Sequence, residues 1–88
     1  MLEVTNGDIV QSICGRDCFQ PFVVLKIDNG YAYLVNGKNR TIQNPKRKKL
    51  KHIRLTNIKN EAIKQKLKNN EKVLDSEIRK AIDNLSII

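Results

Sequence analysis

Residues 21–35 read Pro-Phe-Val-Val-Leu-Lys-Ile-Asp-Asn-Gly-Tyr-Ala-Tyr-Leu-Val, and this stretch decides the fold. Two runs rich in β-branched and aromatic residues flank Asn29-Gly30. Asn-Gly between two such runs is the strongest short-range signal for a β-hairpin. The sequence therefore predicts two antiparallel strands, residues 22–27 and 31–35, joined by a tight turn.

Three further strands are predicted around this hairpin, at residues 9–14, 39–43 and 50–55. The strand at 39–43 follows a second Asn-Gly pair, at 36–37, and it stops before Pro45 because proline cannot donate to a strand ladder. In the last strand apolar and basic residues alternate, which predicts that Ile53 and Leu55 face inward.

Beyond residue 56 the apolar residues change to helical spacing. Positions 58, 62, 63 and 67 predict a helix that Thr56 or Asn57 caps, and a second helix is predicted from Asp75 or Ser76. Five short strands in about 50 residues are too few for a sandwich but enough for a small barrel. We expect a mainly β fold, with a five-stranded barrel at 1–56 and a helical extension at 57–88.

Positive charge is concentrated in residues 38–54, here called the basic run. The basic run carries eight Lys or Arg and no acid, whereas residues 1–37 sum to −2 and residues 55–88 to +2. A concentrated basic segment attracts polyanions, so nucleic acid is the expected partner. An inert, solvated loop is the alternative, although like charges at this density repel one another.

Two motifs carry a resemblance to a known family. Gly-Asp-Ile-Val at 7–10, Cys-Gly-Arg-Asp at 14–17 and the valine-rich strand after them look like a KOW motif. Asn-Gly-Lys-Asn-Arg at 36–40 and Asn-Pro-Lys-Arg-Lys-Lys-Leu-Lys-His-Ile at 44–53 resemble a bacterial family of small KOW-domain RNA-binding proteins. Those proteins are similar to archaeal and eukaryotic large-subunit ribosomal proteins of the fourteen-e type.

The resemblance covers residues 6–56, and it implies an SH3-like barrel that binds RNA or the ribosome. One departure lies in the first loop. The family usually continues Gly-Arg-Asp with Lys-Gly-Lys, whereas this chain has Cys18-Phe19-Gln20.

The expected RNA-binding side chains are cations of the two motifs, and they would contact mostly the phosphate backbone. They are Arg16, Lys38, Arg40, Lys46, Arg47, Lys48, Lys49, Lys51, His52 and Arg54. For His52, a packing role stays open. Tyr31 and Tyr33 are expected to pack in the core, although one on the outer face would be able to stack on a base. Phe19, in a turn, is expected either to be an exposed aromatic or to cap the end of the barrel.

Several classes of function are not expected. The single histidine, the missing Gly-rich phosphate loop and the scattered carboxylates argue against an enzyme, a cofactor or a small-molecule substrate. Cys14, Cys18 and His52 are too few for a zinc site, so the cysteines are interpreted as small apolar residues. No apolar run approaches the ~20 residues of a membrane span, and no secretion signal is found, so a cytoplasmic location without a membrane partner is expected.

The first hypothesis is an RNA-binding accessory protein that docks on ribosomal RNA through a basic patch, without catalysis. The second is a protein-interaction module whose barrel and apolar C-terminal tail bind a ribosomal or transcription partner. The third is a basic DNA-binding protein. RNA is expected over DNA because a small barrel offers no recognition helix for the major groove, and because of the resemblance.

Overall fold

The computed structural model describes residues 4–13, 15–16 and 18–85. Its elements are β1 (Asp8–Ser12), β2 (Pro21–Asp28), β3 (Tyr31–Val35), β4 (Lys46–Lys49), a 3-10 turn (Leu50–His52), β5 (Ile53–Lys59), α1 (Glu61–Lys68) and α2 (Asp75–Asp83). The strands are antiparallel and form one curled half-barrel sheet in the order β4-β3-β2-β1-β5. The predicted fold class, a mainly β chain with two C-terminal helices, is confirmed.

The hairpin of β2 and β3 forms where the sequence predicts it. Asn29 and Gly30 both take positive φ, 52° and 80°, the conformation that a tight hairpin turn requires. The register between the two strands shifts between Val24 and Lys26. A bulge of this kind increases the local twist, which favours the curl of the sheet.

The predicted fourth strand at 39–43 is wrong. Residues 36–44 form a loop in which the Asn36 side chain accepts hydrogen bonds from the backbone N–H groups of Lys38 (2.9 Å) and Arg40 (3.1 Å). Local bonds from an asparagine side chain compete with a strand ladder for the same backbone groups. The fourth strand instead follows Pro45, so β4 lies in the middle of the basic run and at an edge of the sheet.

The fifth strand begins later than predicted. Residues Leu50–His52 form the 3-10 turn, so that β5 starts at Ile53 and continues to Lys59, three residues beyond position 56. Ile53 is buried as predicted, at 8% exposure, while Leu55 is half-buried. The turn connects β4 and β5, the two edge strands of the sheet.

The cap of the first helix also lies later in the sequence. Asn60 caps α1 by accepting a hydrogen bond from the Ile63 N–H at 3.0 Å, so neither Thr56 nor Asn57 serves as the cap. The Thr56 hydroxyl instead donates to the Ile9 carbonyl at 2.8 Å, between β5 and β1. The predicted start of the second helix at Asp75 is confirmed.

The sheet is buried on both faces over much of β1, β2 and β3. Inside the curl lie Val10, Phe22, Val24, Ala32, Leu34 and Ile53. Between the outer face and the helices lie Ile9, Val23, Val35, Ile63, Val73, Ile78 and Ala81. Burial on both faces explains why β2 reads as a nearly continuous apolar run. The helices are therefore a second layer on the sheet.

Helix α2 packs tightly against Gly37, at the start of the 36–44 loop. Gly37 has a φ of +77°, and a Cβ at this position would lie 2.5 Å from the Asp75 carbonyl oxygen and 2.6 Å from the Arg79 nitrogen. The Ile42 N–H also donates to the Asp75 carboxylate at 2.8 Å. These contacts fix the first part of the basic run to the helical layer.

Replacing Gly37 with alanine tests this packing. We expect the Gly37→Ala variant to lose about 3 kcal/mol of unfolding free energy, about 1 from the left-handed backbone and the rest from overpacking. Gly30→Ala is the matched control, because its φ is +80° and no atom lies within 4 Å of the added Cβ. The control should lose only about 1 kcal/mol. Urea unfolding followed by circular dichroism measures both, and equal losses would contradict the close packing of α2.

Candidate nucleic-acid interface

Strand β4 carries four successive cations, but they point to two sides of the sheet. Arg47 and Lys49 are exposed and Lys46 is half-buried. Lys48 lies opposite Ala32 in the register and is buried, at 9% exposure. Because alternate residues of a strand face opposite sides, only part of the charge of β4 is directed outward.

Three of the predicted cations meet in a cavity. Arg16 from the β1–β2 loop, Arg40 from the 36–44 loop and Lys46 from β4 line a space of about 250 Å³. The remaining lining residues are Gln20, Phe22 and Asn39. Two guanidinium groups, one ammonium group and two side-chain amides are donors suited to a phosphate group. The sequence predicted these cations but not their convergence, because they come from three separate segments.

The 3-10 turn and the start of β5 hold the last three predicted residues. Lys51 and Arg54 are exposed and His52 is half-buried. The His52 carbonyl accepts a hydrogen bond from the Ile13 N–H at 3.0 Å, and the Arg54 guanidinium donates to the Gln11 side chain at 3.4 Å. These contacts hold the turn and β5 against β1, so the exposed cations start from a fixed backbone.

Ion pairs involve cations on either side of residues 46–54. They join Lys38 to Asp83, Lys64 to Asp8 and Lys66 to Glu77. Within the described part of the chain, no carboxylate pairs with the residues here called the open cations, Arg47, Lys49, Lys51 and Arg54. Their charge is available to an anionic partner, whereas Lys38 already forms an exposed ion pair with Asp83 of α2.

Tyr31 and Tyr33 lie on the outer face of β3 rather than in the core. The residues between and after them are buried inside the curl, while both tyrosines are half-buried. The Arg47 guanidinium lies 4.1 Å from the centroid of the Tyr31 ring, and the Lys26 ammonium lies 4.7 Å from that of Tyr33. The sequence analysis missed Lys26. The period-two alternation of β3 was the signal that both tyrosines share a face.

The β1–β2 loop exposes an aromatic side chain in an unusual backbone conformation. Phe19 is 64% exposed, which agrees with the first of the two predicted alternatives, an exposed aromatic, and its φ is +68°. This left-handed region favours glycine, because a Cβ there crowds the neighbouring carbonyl oxygen.

The described residues contain neither a cluster of metal-ligating side chains nor a membrane-spanning helix. Over residues 4–13, 15–16 and 18–85, no three His, Cys, Asp or Glu side chains come together in a way that would hold a metal ion. Cys18 is a half-buried free thiol, and Cys14 lies outside the described residues. None of the described helices has the length and apolar character needed to cross a bilayer.

No model of a known protein family matches this chain, and no curated protein matches it either. The resemblance to the KOW family therefore stays a prediction.

Away from the interface, a buried ion pair joins β1 to α1. The Asp8 carboxylate, from a residue that is 4% exposed, accepts hydrogen bonds from the Lys64 ammonium and from the N–H (2.8 Å) and hydroxyl (3.1 Å) of Thr5. Burial raises the pKa of the Asp8 carboxyl, but Lys64 and Thr5 together outweigh it, and the net pKa lies below the ordinary value.

This lowered pKa makes stability depend on pH. The ordinary pKa of an aspartate carboxyl is about 4, and above that pH the Asp8 carboxylate makes its full contribution to the free energy of unfolding. This contribution is lost as pH falls through the lower pKa of the folded state. Asp8→Asn should lose about 2–4 kcal/mol of unfolding free energy at pH 7, because Lys64 keeps a half-buried charge without a partner. The difference from the wild type should shrink below about pH 4.

Urea unfolding at a series of pH values measures this effect. The matched control is Asp83→Asn, because Asp83 and Lys38 form an exposed ion pair. Exposed pairs contribute about 0–1 kcal/mol, so the control should change stability little at any pH. A loss in Asp8→Asn that stayed constant from neutral to acid pH would contradict the proposed electrostatics.

Proposed function

We propose that this protein binds RNA and docks on ribosomal RNA as an accessory factor, by charge neutralisation and without catalysis. The observation that carries the proposal is the succession of exposed cations along one continuous stretch of the chain. Elsewhere, Lys38, Lys64 and Lys66 are paired with carboxylates. The open cations have no carboxylate partner among the described residues, and they follow one another along β4, the 3-10 turn and β5.

A fixed array of cations is better suited to a phosphate backbone than a mobile segment. The backbone of β4 is paired with β3 from Leu34 to Tyr31, so the chain loses little further conformational freedom on binding. The cavity of Arg16, Arg40 and Lys46 offers a place where one phosphate would be surrounded by donors. Contacts of this type position a nucleic acid without reading its sequence.

The way the two helices pack on the sheet favours RNA over duplex DNA as the partner. Both helices are short, eight and nine residues, and their buried residues Ile63, Ile78 and Ala81 pack on the sheet. Neither is arranged as a recognition helix for a major groove. Folded RNA is recognised mainly by shape, phosphates and 2′-hydroxyl groups, which suits a compact basic surface. The family resemblance supports ribosomal RNA in particular.

The alternative is a protein partner that binds the barrel and the apolar C-terminal tail. The structure describes this tail only as far as Leu85, which packs against the core cluster beneath the helices. The rest of the tail, residues 86–88, lies outside the described part. RNA binding is the stronger proposal, because it rests on side chains whose positions are described.

Removing the open cations tests the proposal. The patch variant changes Arg47, Lys49, Lys51 and Arg54 to glutamine. We expect its affinity for ribosomes to fall on the order of 10²-fold at about 0.1 M salt, and the slope of log affinity against log salt to decrease by about 3. The physical reason is the loss of four phosphate contacts, each of which releases bound counterions. Co-sedimentation with ribosomes at several salt concentrations measures both quantities.

The matched control removes the same charge from another surface. It changes four exposed cations of the helical layer, Lys68, Lys72, Arg79 and Lys80, to glutamine. This variant should keep most of its affinity for ribosomes, because the phosphate contacts depend on where the cations lie and not on net charge alone. If both variants bind ribosomes like the wild type, with an unchanged salt slope, the basic interface is refuted and a protein partner gains support. Equal competition by duplex DNA would count against RNA preference.

A further inference from the structure

The outer face of β3 and its neighbouring strands combines aromatic rings with cations. We propose that this surface, here called the tyrosine face (Lys26, Tyr31, Tyr33, Arg47 and Lys49), binds the unpaired bases of single-stranded RNA. The inference rests on the proposed function and deepens it, because phosphate contacts alone would not distinguish single-stranded from folded RNA. It also assigns a role to two aromatic residues that charge neutralisation does not use.

The strand register brings the five side chains of the tyrosine face together. Tyr31 is directly opposite Lys49, and Tyr33 is opposite Arg47 on one side and Lys26 on the other. Directly opposed residues of antiparallel strands lie on the same face of the sheet. Each tyrosine therefore has at least one cation beside it, across a strand pair that the sheet holds in place.

The cations are positioned against the rings. The Arg47 guanidinium lies 4.1 Å from the Tyr31 centroid, and the Lys26 ammonium lies 4.7 Å from the Tyr33 centroid. These cation–π contacts orient the side chains in the absence of RNA. Bases stack on aromatic rings and on guanidinium planes alike, so the Tyr31–Arg47 pair presents a planar surface to a base. A base approaching Tyr33 has only a flexible lysine to displace.

The spacing of the two rings favours a single strand. Tyr31 and Tyr33 are two residues apart on β3, which corresponds to about 6.6 Å along an extended strand. Stacked bases in a duplex follow one another at about 3.4 Å, so neighbouring bases of a duplex cannot each meet one ring. Two successive bases reach the two rings only when the RNA strand is extended and its bases are unstacked.

The charge of the tyrosine face matches a phosphate backbone. Lys26, Arg47 and Lys49 contribute three positive charges, and none of them pairs with a carboxylate within the described residues. Asp28 lies opposite Tyr31 and brings one negative charge to the same face, which leaves a net charge of +2. The helices cover the outer face around Val23 and Val35 and leave both tyrosines partly exposed.

The composition of the chain allows a direct spectroscopic test. The sequence has two tyrosines, Tyr31 and Tyr33, and no tryptophan, so its intrinsic fluorescence comes from this face alone. The full-length chain is titrated with a single-stranded oligoribonucleotide, and in parallel with a strand of the same length whose sugar–phosphate backbone lacks bases. We expect the first strand to quench tyrosine emission, and the strand without bases to bind without comparable quenching.

A pair of double variants separates stacking from folding. Tyr31→Leu with Tyr33→Leu removes the rings and keeps apolar side chains, whereas Tyr31→Phe with Tyr33→Phe keeps both rings. The leucine variant should bind single-stranded RNA at least about tenfold more weakly, measured by anisotropy of labelled RNA. The phenylalanine variant should bind like the wild type. Affinity for the strand without bases should be the same for all three proteins.

The outcomes distinguish this inference from the proposed function. Two results would overturn base stacking while salt-dependent binding of both strands leaves the basic interface intact. One is equal quenching of tyrosine emission by the two strands. The other is a leucine variant that binds single-stranded RNA with the full affinity of the wild type. A wild type that binds neither strand would overturn both proposals. Two results together would support stacking on the tyrosine face. The base-bearing strand quenches tyrosine emission, and the leucine variant, but not the phenylalanine variant, loses affinity for single-stranded RNA.

Discussion

The covering of the sheet's outer face is the constraint on which the rest of the structure depends. Strands β1 and β2 place Ile9 and Val23 on the face opposite the interior of the curl, and these residues would be exposed without a second layer. The apolar residues of α1 and α2 cover them, and burial of that area stabilises a domain that is otherwise small for a single core. The two helices are too short to cover the whole face. The part around β4 stays open, and it is the part that carries the basic run.

The same layer determines how the basic run is used. Helix α2 binds the start of the run through Gly37, through the Ile42–Asp75 hydrogen bond and through the ion pair of Lys38 with Asp83. The chain reaches the sheet edge only after Pro45, and the cations exposed to solvent beyond that point are the open cations. The described carboxylates of the helical layer form no such pair with the open cations, so the cationic surface on which the proposed function rests lies beyond the reach of α2.

Local signals made part of this fold predictable, and distant contacts made the rest unpredictable. The hairpin at 21–35 follows from neighbouring residues, because Asn29-Gly30 specifies its own turn. The loop at 36–44 also contains Asn-Gly, yet its conformation depends on Asp75, which is 33 residues from Ile42 in the sequence. In the site, charge alone identified the cations. The exposure of Arg47 and the burial of Lys48 depend on the register with β3, which the sequence does not specify.

Lysine on an edge strand has a second physical explanation, which is protection against pairing with another sheet. Edge strands use charged residues, including inward-pointing ones, to prevent such pairing. Lys48 fits this explanation, because it is buried on the inner side of the edge strand β4. Edge protection does not require the neighbouring Arg47 to lie over a tyrosine ring, and it does not require Arg16 and Arg40 to line a cavity with Lys46. Protection against aggregation therefore accounts for one cation of β4 but not for the arrangement of the others, and it is this arrangement on which the proposal of an anionic ligand rests.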